Sequence, residues 1–246
     1  MRKRTITLNC DMGESFGNWK MGDDEAVMPW VDMANIACGF HASDPDVMAK
    51  TIALAQTHNV RIGAHPGYQD LSGFGRRSIP HTAEQLAHLV SYQVGALQAL
   101  ASLYKAKVEY IKPHGALYND MMSNPMILES MIKTAAKLKL PLMLLARINN
   151  QIEQALAEKY QAELLFEAFA DRAYTDDGAL MPRQQPNAVL HDPSAIQTQV
   201  LQLANHGTIT TPSGKTLHLQ ADTVCVHGDN PDSIAMVKHL AKALKE

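Results

Sequence analysis

The sequence predicts an α/β protein whose sheet is parallel and built from successive βα units. Two observations carry this reading. Short apolar runs rich in β-branched residues alternate with longer helical patterns over the whole chain, as parallel strands joined by helical crossovers do. Four of the helical patterns open on Asp or Asn followed by Pro, pairing a side-chain acceptor for the first free amides with a residue that has no amide to satisfy. A chain of 246 residues can bury a large core as one barrel or as two small domains. No linker-like or low-complexity segment divides it, so residues 1–246 read as a single domain.

Seven strand-like runs follow one another, near 5–11, 34–40, 61–66, 108–114, 142–146, 164–171 and 223–229. Asp44-Pro45 opens the helix after the second run, and Thr82 with Gln85 forms a capping box for a helix near 83–105 after the third. Asn124-Pro125, Asp192-Pro193 and Asn230-Pro231 open the helices after the fourth, sixth and seventh. These caps are structural. Two connections, 66–80 and 171–188, are long and carry aromatic and Arg residues that disorder does not favour, so they read as lids over a site. T-P-S-G-K-T at 211–216 ends like a phosphate-binding loop, but Ile209 stands where the first Gly is required and T-L-H-L-Q follows as an alternating strand. It reads as a hairpin turning at Ser213-Gly214.

Side chains alternate along a strand, so each run divides into two faces. In the first, Ile6, Leu8 and Cys10 oppose Thr7, Asn9 and Asp11; in the second, Ile36, Cys38 and Phe40 oppose Asn35, Gly39 and His41. Gly63 and His65 share a face in the third, Tyr110, Lys112 and His114 in the fourth, Glu167, Phe169 and Asp171 in the sixth, and Cys225, His227 and Asp229 in the seventh. With the apolar faces against the helices, six of the runs end in an inward ionisable or imidazole side chain. Ligands of parallel α/β folds bind at the carboxyl ends of the strands, where this set converges. One histidine at a strand end is more often a hydrogen-bonded structural residue than a ligand or base. A whole register of such groups costs a few kcal/mol each to bury unpaired, which packing alone does not recover.

Composition excludes several classes. Net charge is −3 and the only basic block is Arg2-Lys3-Arg4, so there is no electrostatic footprint for nucleic acid. No apolar run reaches the 18 or so residues of a membrane span, and the charged start is followed by strand-like alternation rather than a signal-peptide core. The expected location is the cytoplasm, with Cys10, Cys38 and Cys225 as three reduced thiols, since they form neither a C-x-x-C pair nor an even framework. Cys10 and Cys38 face the helices; Cys225 faces inward near His227, without the local context of a known nucleophile.

Six motifs in order, L-N-C-D-M-G-E-S-F-G (8–17), N-I-A-C-G-F-H-A-S-D-P (35–45), I-G-A-H-P-G-Y-Q-D-L-S-G-F-G-R-R (62–77), I-K-P-H-G-A-L-Y (111–118), F-E-A-F-A-D-R-A-Y (166–174) and V-C-V-H-G-D-N-P (224–231), span the chain. Together they resemble the LamB/YcsF family. Ser43 and Gln69 stand where the family pattern has Gly and Pro, and Pro186-Asn187 replaces a Gly-containing turn. The resemblance implies a TIM-like, seven-stranded (β/α) barrel of the glycoside hydrolase/deacetylase type. It also implies ATP-dependent opening of the lactam of 5-oxo-L-proline to L-glutamate, with ADP and phosphate released, in concert with two companions, the B and C subunits (PxpB and PxpC).

Such a reaction calls for a general base, cationic stabilisation of phosphate and an anchor for the substrate carboxylate, because the amide is resonance-stabilised until its oxygen is phosphorylated. Asp11, assisted by His65 or His114, is the expected activator of water, and Lys112 and His227 are expected to stabilise the oxyanion or phosphate. Arg76, Arg77 or Arg172 from the two lids suits the carboxylate, with one of the adjacent pair Arg76-Arg77 expected to be functional and the other not. The remaining inward groups, Asn9, His41, Glu167, Asp171 and Asp229, with Glu14 just beyond the first run, are assigned to substrate binding. The Asp, Glu and His mixture also suits a divalent metal, and related deacetylases bind one with an Asp and two His, although no H-x-x-x-H or H-x-E-x-H spacing occurs here. The missing Walker motif places phosphorylation with the companions and ring opening with this chain. Two alternatives stand beside this reading: a stand-alone metal-dependent deacetylase or amidohydrolase, active without ATP, and a non-catalytic scaffold that binds substrate or partners.

Overall fold

A computed structural model describes residues 6–182, 184–228 and 230–244. Its centre is a closed barrel of seven parallel strands: β1 (Thr7–Met12), β2 (Met33–Ala37), β3 (Arg61–His65), β4 (Val108–Ile111), β5 (Leu142–Leu145), β6 (Leu164–Phe169) and β9 (Thr223–Val226). β9 closes the ring by pairing with both β1 and β6. The seven runs expected from the sequence are these strands. Each lies within or close to its run, and the hairpin read at 211–216 is present as β7 (Thr208–Thr210) and β8 (Thr216–His218), outside the barrel.

The outer layer is α2 (Pro45–Thr57), α3 (Ala83–Leu103), α4 (Gly115–Ser123), α5 (Pro125–Leu138), α6 (Gln151–Tyr160), α7 (Pro193–His206) and α8 (Pro231–Ala243), with a single turn, α1 (Asp24–Val27), after β1. Every Asx-Pro cap and the Thr82–Gln85 capping box is formed as expected. α3 shows how the layer is held. Leu86, Leu89, Val90, Gln93, Val94, Leu97 and Ala101 are buried at three- and four-residue spacing, one stripe laid on the sheet. No helix among the described residues is long and apolar enough to cross a membrane.

The outward strand residues Leu8, Cys10, Ile36, Ile62, Ala64, Ile111 and Val224 belong to the main apolar core beneath these helices. The barrel interior is a separate, smaller cluster of Met33, Tyr110 and Met143 with Leu165 against it. Gly63 explains how a tyrosine fits there: a Cβ at this position would stand 2.1 Å from the Tyr110 ring. Met143 and its neighbours account for the fifth run, the one without an inward polar residue.

Two boundaries differ from expectation. β2 ends at Ala37, so His41 comes from the loop after the strand rather than from its register. β4 ends at Ile111, and a separate helix, α4, starts at Gly115 with His114 at its N-cap position. The alternation of the sequence continues past both ends because buried loops also alternate in and out.

Candidate functional site

The polar floor begins one layer above Tyr110. The Tyr110 hydroxyl donates to Asn35 Oδ1 at 2.7 Å, and Asn35 Nδ2 donates to Asn9 Oδ1 at 2.8 Å and to Asp11 Oδ1 at 2.7 Å. Asn9 Nδ2 in turn donates to Thr223 Oγ1 at 3.0 Å. Each amide is thereby oriented, and together they present Asp11 upward. Lys112 stands among them, its Nζ 3.0 Å from Asp11 Oδ1, 3.0 Å from Glu167 Oε2 and 3.1 Å from Asn9 Oδ1. Burial opposes the Lys112 charge, but Asp11, Cys225 and Glu167 outweigh it and hold the amine well above its ordinary value. Burial likewise opposes the Asp11 carboxylate, and His65 and Lys112 outweigh it, keeping the acid well below the usual carboxylate range.

Three histidines stand beside Asp11. His65 Nδ1 lies 2.7 Å from the Lys112 carbonyl and His114 Nε2 lies 2.8 Å from the Phe74 carbonyl. A carbonyl only accepts, so each of these nitrogens carries the ring proton and the other nitrogen of each neutral ring carries a lone pair. Those two lone-pair atoms, His65 Nε2 and His114 Nδ1, face each other at 3.0 Å. Asp11 Oδ2 is 3.4 Å from the first and Glu14 Oε1 is 3.9 Å from the second. Glu14, His41, His65 and His114 each bring one ligand atom within 4.8 Å of the others. His41 stacks on His114 with ring centroids 3.7 Å apart and planes 4° off parallel, and neither of its ring nitrogens has a hydrogen-bond partner. Burial, then His65, pushes the His114 imidazole down to about 3, and burial with His114 and His65 pushes His41 well below its ordinary value.

A cavity of about 620 Å³ opens above this floor. Asp11, Glu14, His65, Lys112, His114 and His227 line its polar side. The two long loops supply the walls, as lids would: Phe74 and Arg76 from 66–80, and Arg172, Leu180, Met181 and Gln184 from 171–188. Phe169 at the end of β6 is on the inward face expected for the sixth run, whereas Tyr118 and Asn119 on α4 and Met21 were not expected from the sequence. They lie on helix or loop positions that carry no periodic or charge signal, except that A-L-Y lies in a quoted motif.

The other expected residues fall behind this lining. Asn9 and Glu167 are fully buried beneath Lys112. Asp171 stands behind His227, accepting from its Nδ1 at 2.9 Å. His41 is shielded by His114. Of the pair Arg76-Arg77, Arg76 lines the cavity with its guanidinium over the Phe74 ring, whereas Arg77 is turned away and held by Asp70 and Ser72. Asp70 caps the turn at 71–73 and so captures Arg77 within the loop itself. Asp229 lies outside the described residues. Cys225 Sγ is 3.2 Å from Lys112 Nζ but fully buried, and burial raises the thiol well above its ordinary value despite the amine, so it behaves as an inert wall of the floor.

The donor set fits a divalent metal. Three imidazoles, His41, His65 and His114, and the Glu14 carboxylate make a mixed N/O set suited to such an ion, with Asp11 Oδ2 at its edge 3.4 Å from His65 Nε2.

Comparison with known proteins agrees with the fold. The sequence model of the LamB/YcsF family matches residues 6–246. The chain is 59% identical over 244 residues to the A subunit of 5-oxoprolinase from Vibrio vulnificus (strain CMCP6), covering 99% of each chain. It is 55% identical over 246 residues to the corresponding protein of Vibrio cholerae serotype O1 (strain M66-2), covering 100% of each. Among solved structures, the lactam utilization protein from Thermus thermophilus superposes with a TM-score of 0.91 at 33% identity, covering 98% of this chain and 96% of that one.

Proposed function

The chain belongs to the LamB/YcsF family, and from that premise we propose that it is the A component of a 5-oxoprolinase, opening the lactam ring of 5-oxo-L-proline to L-glutamate. The observation that carries this reading is a cavity floor holding Asp11, His65 and Lys112 directly beneath two loop arginines, Arg76 and Arg172. It pairs a proton acceptor and a buried cation with guanidiniums suited to a carboxylate.

The chemistry divides between subunits in this reading. ATP is bound and used by the companion B and C subunits (PxpB and PxpC), which transfer its γ-phosphoryl group to the lactam oxygen. In the cavity of this chain, water adds to C5 and the C5–N bond breaks. The nitrogen takes a proton, and γ-glutamyl phosphate remains. A second water then displaces phosphate. Asp11 and His65 act as a unit: the lone pair able to accept the water's proton is on His65 Nε2, and the ionised Asp11 steadies the imidazolium that forms. Lys112 and His227 stabilise the developing negative charge, and Arg172 with Arg76 holds the substrate carboxylate. A divalent metal held by Glu14, His41, His65 and His114 would take up the His65 lone pair and supply in its place Lewis-acid polarisation and a bound water of lowered pKa. Three free cysteines, all buried, support work in a reducing compartment such as the cytoplasm.

Glutamate release from 5-oxo-L-proline is the test, measured for this chain alone, the companions alone and the mixture, each with and without ATP. Only the mixture with ATP is expected to turn over, and Asp11→Asn in the mixture is expected to lower turnover by about a hundredfold or more with the chain still folded. The four converging acceptors favour one second reading, a stand-alone metal-dependent amidohydrolase. Glutamate or amine release by this chain and a divalent metal without ATP would establish it instead.

A further inference from the structure

The chain turns sharply where β6 ends. Ala170 makes the last link to the sheet, its amide donating to the Cys225 carbonyl at 3.0 Å, and beyond it four successive carbonyls leave the ladder inside the protein. A buried carbonyl without a donor is costly, so each must be accounted for. The Asp171 carbonyl accepts from the Leu190 amide at 2.8 Å. The other three surround one side-chain nitrogen and share its two protons. Gln199 Nε2 lies 2.9 Å from the Phe169 carbonyl, 3.1 Å from that of Ala170 and 2.9 Å from that of Arg172. Gln199 is buried, on α7, and the carboxamide that reaches across is the whole link between that helix and the turn's backbone among these bonds.

With its carbonyls pinned toward α7, the turn presents its side chains the other way. Phe169 and Arg172 line the cavity, and Asp171 meets His227 at 2.9 Å. The same segment is the root of the loop 171–188, so its setting also places Leu180, Met181 and Gln184.

We propose that Gln199 is a positioning residue for the reaction, holding the β6 turn so that Arg172 and the Asp171–His227 pair face the bound substrate. What is positioned rests on the reading of the cavity given above; that Gln199 does the positioning does not. Gln199→Met keeps the length and shape of the side chain and removes the donor. Its effect is read in the reconstituted three-subunit enzyme as kcat and KM for 5-oxo-L-proline, beside Arg172→Ala and the double variant, and in the chain itself by amide hydrogen exchange.

A KM about tenfold higher is expected for Gln199→Met, shrinking to less than twofold when Arg172 is already Ala, because coupled residues are not additive. Amides of 170–190 are expected to exchange at least tenfold faster while those of β1 to β4 keep their protection. Effects of the two substitutions that multiply independently, or unchanged exchange over 170–190, overturn the proposal. An Arg172→Ala enzyme with unchanged KM overturns the substrate reading of the cavity instead, and the exchange measurement still decides the role of Gln199. If Gln199→Met does not accumulate folded, Gln199→Glu, which keeps the shape but sets a carboxylate against three carbonyls, is read in both assays with the same expectations.

Discussion

His114 and His41 show how single residues tie function to stability. Both are buried, and burial together with neighbouring imidazoles holds them neutral, His114 down to about 3. In the unfolded chain each takes up a proton near pH 6.5. Between those values the unfolded state binds more protons than the folded one, so stability rises with pH and is lost as pH falls below 6.5. For metal-free protein, His114 alone is expected to remove about 3 kcal/mol between pH 7 and pH 4. Asp11 acts in the same direction at lower pH: its depressed acid contributes stability that is full above the ordinary carboxylate range and is lost as pH falls from there through its folded value. Denaturant midpoints across pH 7 to 4 check this, and a flat profile would show the histidines to be charged in the fold. Ser43 is the residue-scale departure from the family pattern, a serine at φ +74° where glycine is expected, tolerated while its amide donates to the Ser15 carbonyl at 3.1 Å.

At the scale of elements, the division of strands into two faces was legible because alternation is a local property of extended chain. It correctly separated Leu8 and Cys10 from Asn9 and Asp11, and Ile62 from Gly63. What local alternation lacked was the strand end. His41 was counted on a strand that stops at Ala37, and it reaches the cluster only because the loop folds it onto His114. Gly63 tests the packing of one element on another. A methyl there meets the Tyr110 ring, which is locked by its bond to Asn35. Gly63→Ala is expected to destabilise the barrel by about 1–3 kcal/mol, measured as a lower unfolding midpoint. A midpoint equal to that of the wild type would mean that Tyr110 can leave the interior freely.

The whole molecule brings together what no segment contains. Glu14 follows β1, His41 follows β2, His65 ends β3 and His114 follows β4, so the four acceptors meet only when the barrel closes. Chelator-treated protein is expected to take up about one equivalent of Zn²⁺ or Mn²⁺, and His65→Ala to abolish the uptake, as read by calorimetry and metal analysis. Absence of stoichiometric binding would overturn the metal reading of these four groups.

The sequence by itself determined the fold class, the seven strands, the helix caps and the inward register of Asp11 and His65, because each is written in local periodicity and capping chemistry. It also carried the family, through six motifs in order. Tertiary structure alone decided which of the candidate groups face the cavity and which stand behind it, that Arg76 enters while Arg77 is captured by Asp70, that two ring lone pairs face each other, and that Gln199 reaches back to the β6 turn. These depend on distances between residues far apart in the chain, and such distances exist only once the barrel has closed and its loops have packed.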